Sequence, residues 1–592
     1  MATDHIPGRF FATAARCGDE PAYHVKADNR WQSTSWNQYG DQVRRCARAL
    51  LALGVASGGT TCILGFNRPE WVVFDLATMA VGGIPAGIYT TCSPPEVQYI
   101  IDHSEASVVL LENRHQWEKV KAELERLPHL KTVVMMAASE AIDHPMVMAW
   151  STFMALGGEE HDAALEARLE GIQSDDVGTF IYTSGTTGPP KAVMLTHGNL
   201  AWTASAAIGL VDMQQGDSSV SYLPLSHIAE QMFSIHGPVS SGSVIWFAES
   251  LDNVAQNLQE VQPTVIFGVP RIWEKMHAGV SAKLDEATGL KGRIVAFARS
   301  VGREVTECRN HGRSPSLGLK LRYAIAHKLL FSKVKPLMGL GNARMCVTGA
   351  APISAEVLQF FAELDLTIHE VYGQSEDCGP TSFNTVGHTR YGTVGRPIGG
   401  TEVALGDDGE IRVRGPHVFK GYYKDAAATD EALDGEWLCS GDLGAFTDEG
   451  YLTITGRKKE IIITAGGKNI APKNIEAAIR DLPLTAQAVV IGDRRKFLSA
   501  LITLDPEAVE AFATERGIPV ANAHNHPAVV AEIQRCVDER VNPLFARVEH
   551  IRKFTLLPRD FSVDEGELTP TLKIKRSVVH AHFEAEIEAM YA

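Results

Sequence analysis

Short apolar runs closed off by glycine or proline recur between Thr60 and Ala350: "TTCILGF", "ASVVLLEN", "KTVVMMA", "GSVIWFA", "PTVIFGVP" and "ARMCVTGA". Such runs are too short for buried helices and too continuous for strands with one wet face, so they read as strands covered on both sides. Amphipathic stretches such as "SWNQYGDQVRRCARALLALGV" and "SAEVLQFFAELD" accompany them. Buried strands alternating with helices predict an α/β fold of mixed, largely parallel sheets. Past residue 400 the texture changes to "EIRVRGPHVFKGYY" and "GYLTITGRKKEIIITAGG", alternating patterns with glycine turns that predict a β-rich subdomain. The end reads as a small α+β unit: helix "APKNIEAAIRDL", strands "AQAVVIGD" and "SALITLD", then helices. Val280 to Leu337 stands apart as a long, basic, helix-like stretch that either covers a sheet or forms a lid.

With 592 residues, several domains are expected. The net charge of −16 argues against a general nucleic-acid binder. Its distribution is uneven. From Gly456 to the end, 19 Lys/Arg balance 19 Asp/Glu, so the whole −16 lies earlier in the chain. That asymmetry suggests a boundary near residue 456. The nine cysteines form no C-x-x-C pair, which suggests reduced thiols and a cytoplasmic setting. The start carries no apolar signal region. The longest uncharged run, Leu76 to Pro95, is broken by glycines and prolines and fits a buried helix, turn and strand better than a membrane span.

One stretch concentrates small polar residues. In "YTSGTTGPPK", Thr183, Ser184, Gly185, Thr186, Thr187 and Gly188 can turn hydroxyls and backbone N–H groups toward phosphate oxygens, and Lys191 adds a positive charge. It is not a Walker A loop, because Ala192 follows the lysine. Composition alone leaves a surface linker open. The strand-like "VGTFIY" before it and the helix start "THGNLAWTASAA" after it favour a nucleotide loop.

The same stretch closely resembles the phosphate-loop signature of the adenylate-forming superfamily, which includes acyl-CoA synthetases, peptide-synthetase adenylation domains and firefly-type luciferases. Further matches follow in that family's order. "VYGQSE" resembles its YGxTE element, implying that Tyr372 and Gly373 flank adenine, Ser375 offers a hydroxyl to phosphate and Glu376 is the Mg²⁺ ligand. "TGAAPIS" resembles the segment along the adenine, which implies close approach at Gly349 and Ala350. "SGDLG" and "TGRKKE" resemble the ribose-binding pair, with Asp442 accepting from the ribose hydroxyls, Arg457 donating to them and Lys459 at the swivel of the C-terminal domain. "LTPTLKIKR" resembles the final motif, which gives Lys573 the role of stabilising charge at the attacked phosphorus; "PTLK" departs from the commoner "SGK".

"YLPLSHIAEQM", "GVPRIWEKM" and "ITAGGKNIAP" look like long-chain fatty acyl-CoA synthetases, especially the bubblegum type. The resemblance implies His227 beside the acyl-adenylate pocket, a capping or core histidine being the plainer reading, and Gly466 beside the pantetheine channel. It implies a large domain over 1–457 and a small mobile domain over 458–592, hinged near Lys459. The implied substrates are ATP with Mg²⁺, a fatty acid and coenzyme A; the implied products are acyl-CoA, AMP and pyrophosphate. A CoA ligase for a medium-chain, aryl or other acid is the alternative, and a silent nucleotide- or lipid-binding protein a third reading. The run Arg494, Arg495 and Lys496 is read as a contact for the phosphates of coenzyme A, or else a solvated turn. Peripheral membrane contact suits fatty-acid capture, although no amphipathic anchor stands out. Chain length and oligomeric state are left open.

Overall fold

Each of the six apolar runs contains a strand in the computed structural model, which describes residues 4–592 apart from 184–188, 518, 520–522, 564 and 570–572. The largest sheet runs Gly421–Tyr422, Lys191–Thr196, Val177–Thr183, Ile84–Ile88, Thr60–Leu64, Val108–Leu111, Thr132–Met135, Val147–Ala149. It is parallel from Val177–Thr183 onward, and the two strands at the Gly421 edge are antiparallel. A second sheet orders Val265–Gly268, Met345–Thr348 and Ile368–Tyr372 in parallel, then adds two short antiparallel strands. The expectation of mixed, largely parallel sheets therefore holds. All nine cysteines are free, and seven are buried.

The basic stretch covers a sheet. Helix Gly289–Asn310 is followed by Leu317–Ala326, which continues through a π-helical turn, His327–Phe331, into Ser332–Leu337. Its inner side chains, among them Val301, Val305, Leu319, Ala326 and Phe331, join Phe361, Leu364 and Ile368 in one buried cluster. The approach is close: a Cβ on Gly302 would lie 2.2 Å from the Glu363 carbonyl oxygen, so only glycine fits.

After residue 400, Glu402–Leu405, Glu410–Arg414, Trp437–Phe446 and Leu452–Arg457 form an antiparallel sheet. Beyond it, strands Thr485–Ile491, Leu498–Leu504 and Ile551–Leu556 carry helices on their faces and enclose two apolar clusters of their own. No apolar cluster spans both parts among the described residues. What crosses between them includes surface ion pairs: Arg271–Asp505 at 3.6 Å, Arg540–Glu356 at 3.7 Å and Lys575–Glu96 at 3.9 Å. Such pairs contribute little individually, so this contact opposes separation far less than a shared core would. No described helix is long and apolar enough to cross a membrane.

The segment from Ser221 to His236 supplies side chains to two apolar clusters, Ile228, Met232 and Ile235 to one and Ala229 and Phe233 to the edge of the other. Glu230 is buried, and its Oε1 accepts from the Ser221 and Ser234 hydroxyls, both at 2.7 Å. Burial pushes this carboxyl up to about 8, and the two hydroxyls offset that only in part. The folded acid therefore keeps its proton between its unfolded value of 4.5 and about 8, where the unfolded acid has lost it. Folding stability from this group is present at low pH and is lost as pH rises through that window, by about 1.4 kcal/mol per unit. Glu230→Gln, which cannot titrate, removes that loss. Thermal melts should show the Tm of the variant, minus that of the native chain, increasing from pH 5 to pH 8; a difference independent of pH would contradict the buried neutral acid.

Candidate active site

Strand register sets the first pair. Trp437–Phe446 and Leu452–Arg457 place Asp442 opposite Arg457, and Arg457 Nε donates to Asp442 Oδ1 at 2.8 Å. The Tyr372 hydroxyl, arriving from the end of the second sheet, donates to Asp442 Oδ2 at 2.9 Å. The two ribose candidates and the adenine candidate are thus brought together. Burial, with Asp442 and other groups, pushes the Tyr372 phenol well above its ordinary value, so it remains a donor here.

A second set lies on the edge of the large sheet. Gly421–Tyr422 pairs with the strand of Lys191, and the Tyr422 hydroxyl donates to Glu376 Oε1 at 2.8 Å. Lys191 Nζ sits 4.9 Å from the centre of the same ring. Next to Glu376, Asp377 is fully buried, capping the Gln374 N–H at 2.7 Å and accepting from Thr381. Burial pushes Asp377 up to about 8, which leaves it neutral at pH 7. No group of three or more His, Cys, Asp or Glu among the described residues is placed to hold a metal by itself.

Lys573 reaches this cleft from the C-terminal part. Its backbone is fixed by a carbonyl accepting from Thr569 N at 2.7 Å and an N–H donating to Thr569 Oγ1 at 3.0 Å. Its side chain stands exposed to water. Neighbouring protein lowers its ammonium value by desolvation, as do the nearby charges of Arg457 and Lys473, against the pull of Glu376 and Asp442. Lys473, near the start of helix Pro472–Arg480, is lowered by burial and by Arg457 in the same way. His227 meets the plainer reading, that of a capping histidine. Its Nδ1 accepts from the Ala229 N–H at 3.1 Å, which caps the turn Ile228–Gln231. Burial, and then Lys573, hold the ring down at about 4, so it is neutral at pH 7 and presents Nε2–H.

The glycines divide by cause. A Cβ on Gly373 would lie 1.4 Å from the Gly379 carbonyl oxygen, and one on Gly349 would lie 2.6 Å from Val371 Cγ1. Packing alone therefore demands glycine at both. Ala350 beside it is exposed with φ of +67°. A Cβ on Gly466 would meet only Thr464 Oγ1, at 3.9 Å, so no packing requires glycine there. Thr183, which opens the phosphate-loop candidate, lies opposite Lys191 in antiparallel register, so the strands on either side of the motif pair with each other. Ser184, Gly185, Thr186, Thr187 and Gly188 lie outside the described residues. Ser375 is buried, and Lys459 pairs with Glu431 at 3.1 Å on the surface. Tyr422, Asp377 and Lys473 escaped the sequence reading. Each sits in a stretch whose pattern announces only a strand, a turn or a helix.

The family model described as AMP-binding enzyme matches residues 10–423, and that of the AMP-binding enzyme C-terminal domain matches 459–592. The long-chain-fatty-acid–CoA ligase ACSBG2 of Xenopus laevis is 36% identical over 98% of this chain and 83% of its own. The long-chain-fatty-acid–CoA ligase FadD15 of Mycobacterium bovis is 38% identical over 99% and 97%. Among solved structures, the anthranilate CoA ligase AuaEII, in complex with anthranoyl-AMP, superposes with a TM-score of 0.70 at 19% identity over 98% of both chains. The o-succinylbenzoate CoA synthetase of Bacillus subtilis gives 0.69 at 21% identity, over 96% of this chain and 97% of that one. At such identities the structures establish the fold alone, whereas the family matches and the two ligases span nearly the whole sequence. The chain belongs to the AMP-binding enzyme family.

Proposed function

We propose that the protein joins a long-chain fatty acid to coenzyme A in two steps through an acyl-adenylate, with release of pyrophosphate and then AMP. The observation that carries this reading is the joining of Tyr372, Asp442 and Arg457 by hydrogen bonds, with Glu376 held by Tyr422 beside Lys191; the charges of Glu376, Asp442 and Arg457 also act on Lys573 of the C-terminal part. In the first step a carboxylate oxygen of the acid attacks the α-phosphorus of ATP, and the bond to the pyrophosphate oxygen breaks. Lys573 offsets the charge gathering on the phosphoryl oxygens, while Asp442 and Arg457 orient the ribose. Glu376 has one oxygen engaged by Tyr422 and fits Mg²⁺, which prefers few carboxylates plus substrate phosphates and would neutralise their charge. Hydroxyls of the Thr183–Thr187 loop and Lys191 would hold the β- and γ-phosphates.

In the second step the small domain, taken as 458–592, turns about Lys459. Lys573 withdraws and the open surface at Gly466 comes to the adenylate. The thiol of coenzyme A attacks the acyl carbon, and AMP leaves with the bonding electrons. No enzyme nucleophile is needed. The contact between the two parts, with no shared apolar cluster among the described residues, supports this swivel. The turn carrying Arg494, Arg495 and Lys496 lies against the Gly466 hairpin, through Arg494 N to Ile463 O at 2.7 Å and Ala465 N to Arg495 O at 2.9 Å. Arg495 is occupied by Glu588, whereas Arg494 and Lys496 are exposed and suit the coenzyme's phosphates. A long-chain acid is stored in membranes, so peripheral membrane contact belongs to this reading.

Lys573→Ala should reduce ATP–pyrophosphate exchange by roughly a hundredfold or more, while thioester formation from synthetic palmitoyl-AMP stays within a few-fold. Equal loss of both would place Lys573 outside the adenylation step. Tyr422→Phe leaves Glu376 unsupported and should raise the Mg²⁺ concentration needed for half-maximal exchange several-fold, with little change in KM for palmitate. Arg494→Glu with Lys496→Glu should raise KM for coenzyme A and leave exchange intact; an unaltered KM would return the turn to plain solvation. Exchange across palmitate, octanoate and benzoate separates the long-chain reading from its alternative.

A further inference from the structure

Exposed apolar side chains are concentrated at one place. Of the fourteen large hydrophobic residues that stand exposed among those described, five fall between Leu317 and Leu337; the others are scattered from Leu251 to Val548. Leu317, Leu321, Ile325 and Leu329 are 85%, 67%, 46% and 38% exposed, and Leu337 follows at 67%. The first three are spaced by four along helix Leu317–Ala326, and Leu329 continues the spacing through the π-helical turn, so they form one ridge. The opposite side of the same helix is already used, with Leu319, Ala326 and Leu330 buried in the cluster that covers the sheet. An amphipathic helix with its polar side outward would need no partner. This one is apolar on both sides.

Charge says what kind of surface covers the ridge. No Asp or Glu occurs from Cys308 to Ala355, while Arg309, Arg313, Lys320, Arg322, Lys328, Lys333, Lys335 and Arg344 do, in a chain whose net charge is −16. Five of these cations are committed: Arg309 and Lys335 to Asp365, Arg313 to Glu307, Arg322 to Glu304 and Arg344 to Asp217. Lys320, Lys328 and Lys333 are exposed and make no ion pair among the described residues. Lys320 and Lys328 each directly precede a ridge leucine, Leu321 and Leu329. Apolar side chains flanked by unpaired lysines match a bilayer surface, where the leucines enter the acyl boundary and the ammonium groups meet anionic headgroups. A second copy of this chain would bring the same lysines face to face, which opposes a symmetric dimer through the ridge.

We propose that the ridge Leu317–Leu321–Ile325–Leu329, with Lys320, Lys328 and Lys333, is the surface by which this protein docks on anionic lipid bilayers. The inference names the site of the membrane contact and rests on the fatty-acid reading only for its purpose. Co-sedimentation of the full chain with phosphatidylcholine–phosphatidylglycerol vesicles tests it, with phosphatidylcholine vesicles as the neutral comparison. The native chain should bind the anionic vesicles and bind the neutral ones far more weakly. Replacing the three lysines by glutamine should weaken binding about fivefold per lysine, on the order of a hundredfold together. Leu321→Glu with Ile325→Glu should abolish it without lowering the Tm, because both side chains are exposed. Both variants should ligate palmitate in non-ionic detergent at the native rate and slow only when palmitate is supplied in vesicles. Failure of the native chain to bind, or binding by the variants equal to native, overturns the proposal. So does a native dimer that Leu321→Glu converts to a monomer. Failure of the native chain to ligate palmitate in detergent sinks the fatty-acid reading instead and leaves the vesicle result standing.

Discussion

Asp442 accepts from Arg457 and Tyr372 together, and three parts of the chain meet at that carboxylate. Tyr372 ends a parallel strand of the second sheet, Asp442 lies within the long strand of the antiparallel subdomain, and Arg457 is the last strand residue before the C-terminal part. The side chain of Asp442 is only 9% exposed, so its charge is held by these two donors rather than by water. Losing either would strand a desolvated carboxylate and free the strand that leads to Lys459. The pair therefore fixes the edge about which any domain rotation would turn, and it does so with the groups that face the nucleotide in the proposed reaction.

Around that pair the cleft is sorted by charge state. Asp377 is driven neutral by burial, and Glu370, one strand residue before Val371, is likewise pushed up to about 8. His227 is held neutral. The other ionisable groups here include Glu376, Asp442, Arg457, Lys473 and Lys573, three basic side chains against two carboxyls. Burial lowers both lysines, and the charge of Arg457 adds to that, whereas Asp442 raises Arg457. A polyanion entering between them relieves that repulsion, so the same groups that are uncomfortable alone become donors to phosphate.

The fold was legible because its strands are buried on both faces, which leaves unbroken apolar runs that no surface constraint disguises. The C-terminal unit was legible from charge as well as pattern. Within the site, residues in glycine-rich or otherwise unusual motifs could be found: Glu376, Asp442, Arg457 and Lys573 each stand in one. Tyr422 could not, because its role depends on a two-residue strand pairing back onto Lys191–Thr196, a contact between positions more than two hundred residues apart. Lys473 was hidden by its helix, whose pattern reports amphipathicity and not what its first turn faces. The Leu317–Leu337 ridge was missed for a related reason. Its basic, helical character was plain, but a helix with leucines on two faces looks merely buried until the structure shows that only one face is covered.

An excess of negative charge makes the placement of the positive charge informative. Everything this enzyme is proposed to bind is anionic: ATP, coenzyme A, a fatty carboxylate and a lipid surface. A body carrying −16 repels all of them at distances up to a Debye length, roughly 8 Å at physiological salt. Binding then requires local reversal of sign, and the structure concentrates cations where chemistry or docking would use them: in the cleft at Arg457, Lys473 and Lys573, on the turn at Arg494 and Lys496, and along the acid-free stretch beside the leucine ridge. Elsewhere the negative surface serves a different end. It opposes approach of an anionic bilayer to acidic faces, while the lysines beside the ridge attract one, so electrostatics would favour the docking pose before any leucine touches lipid.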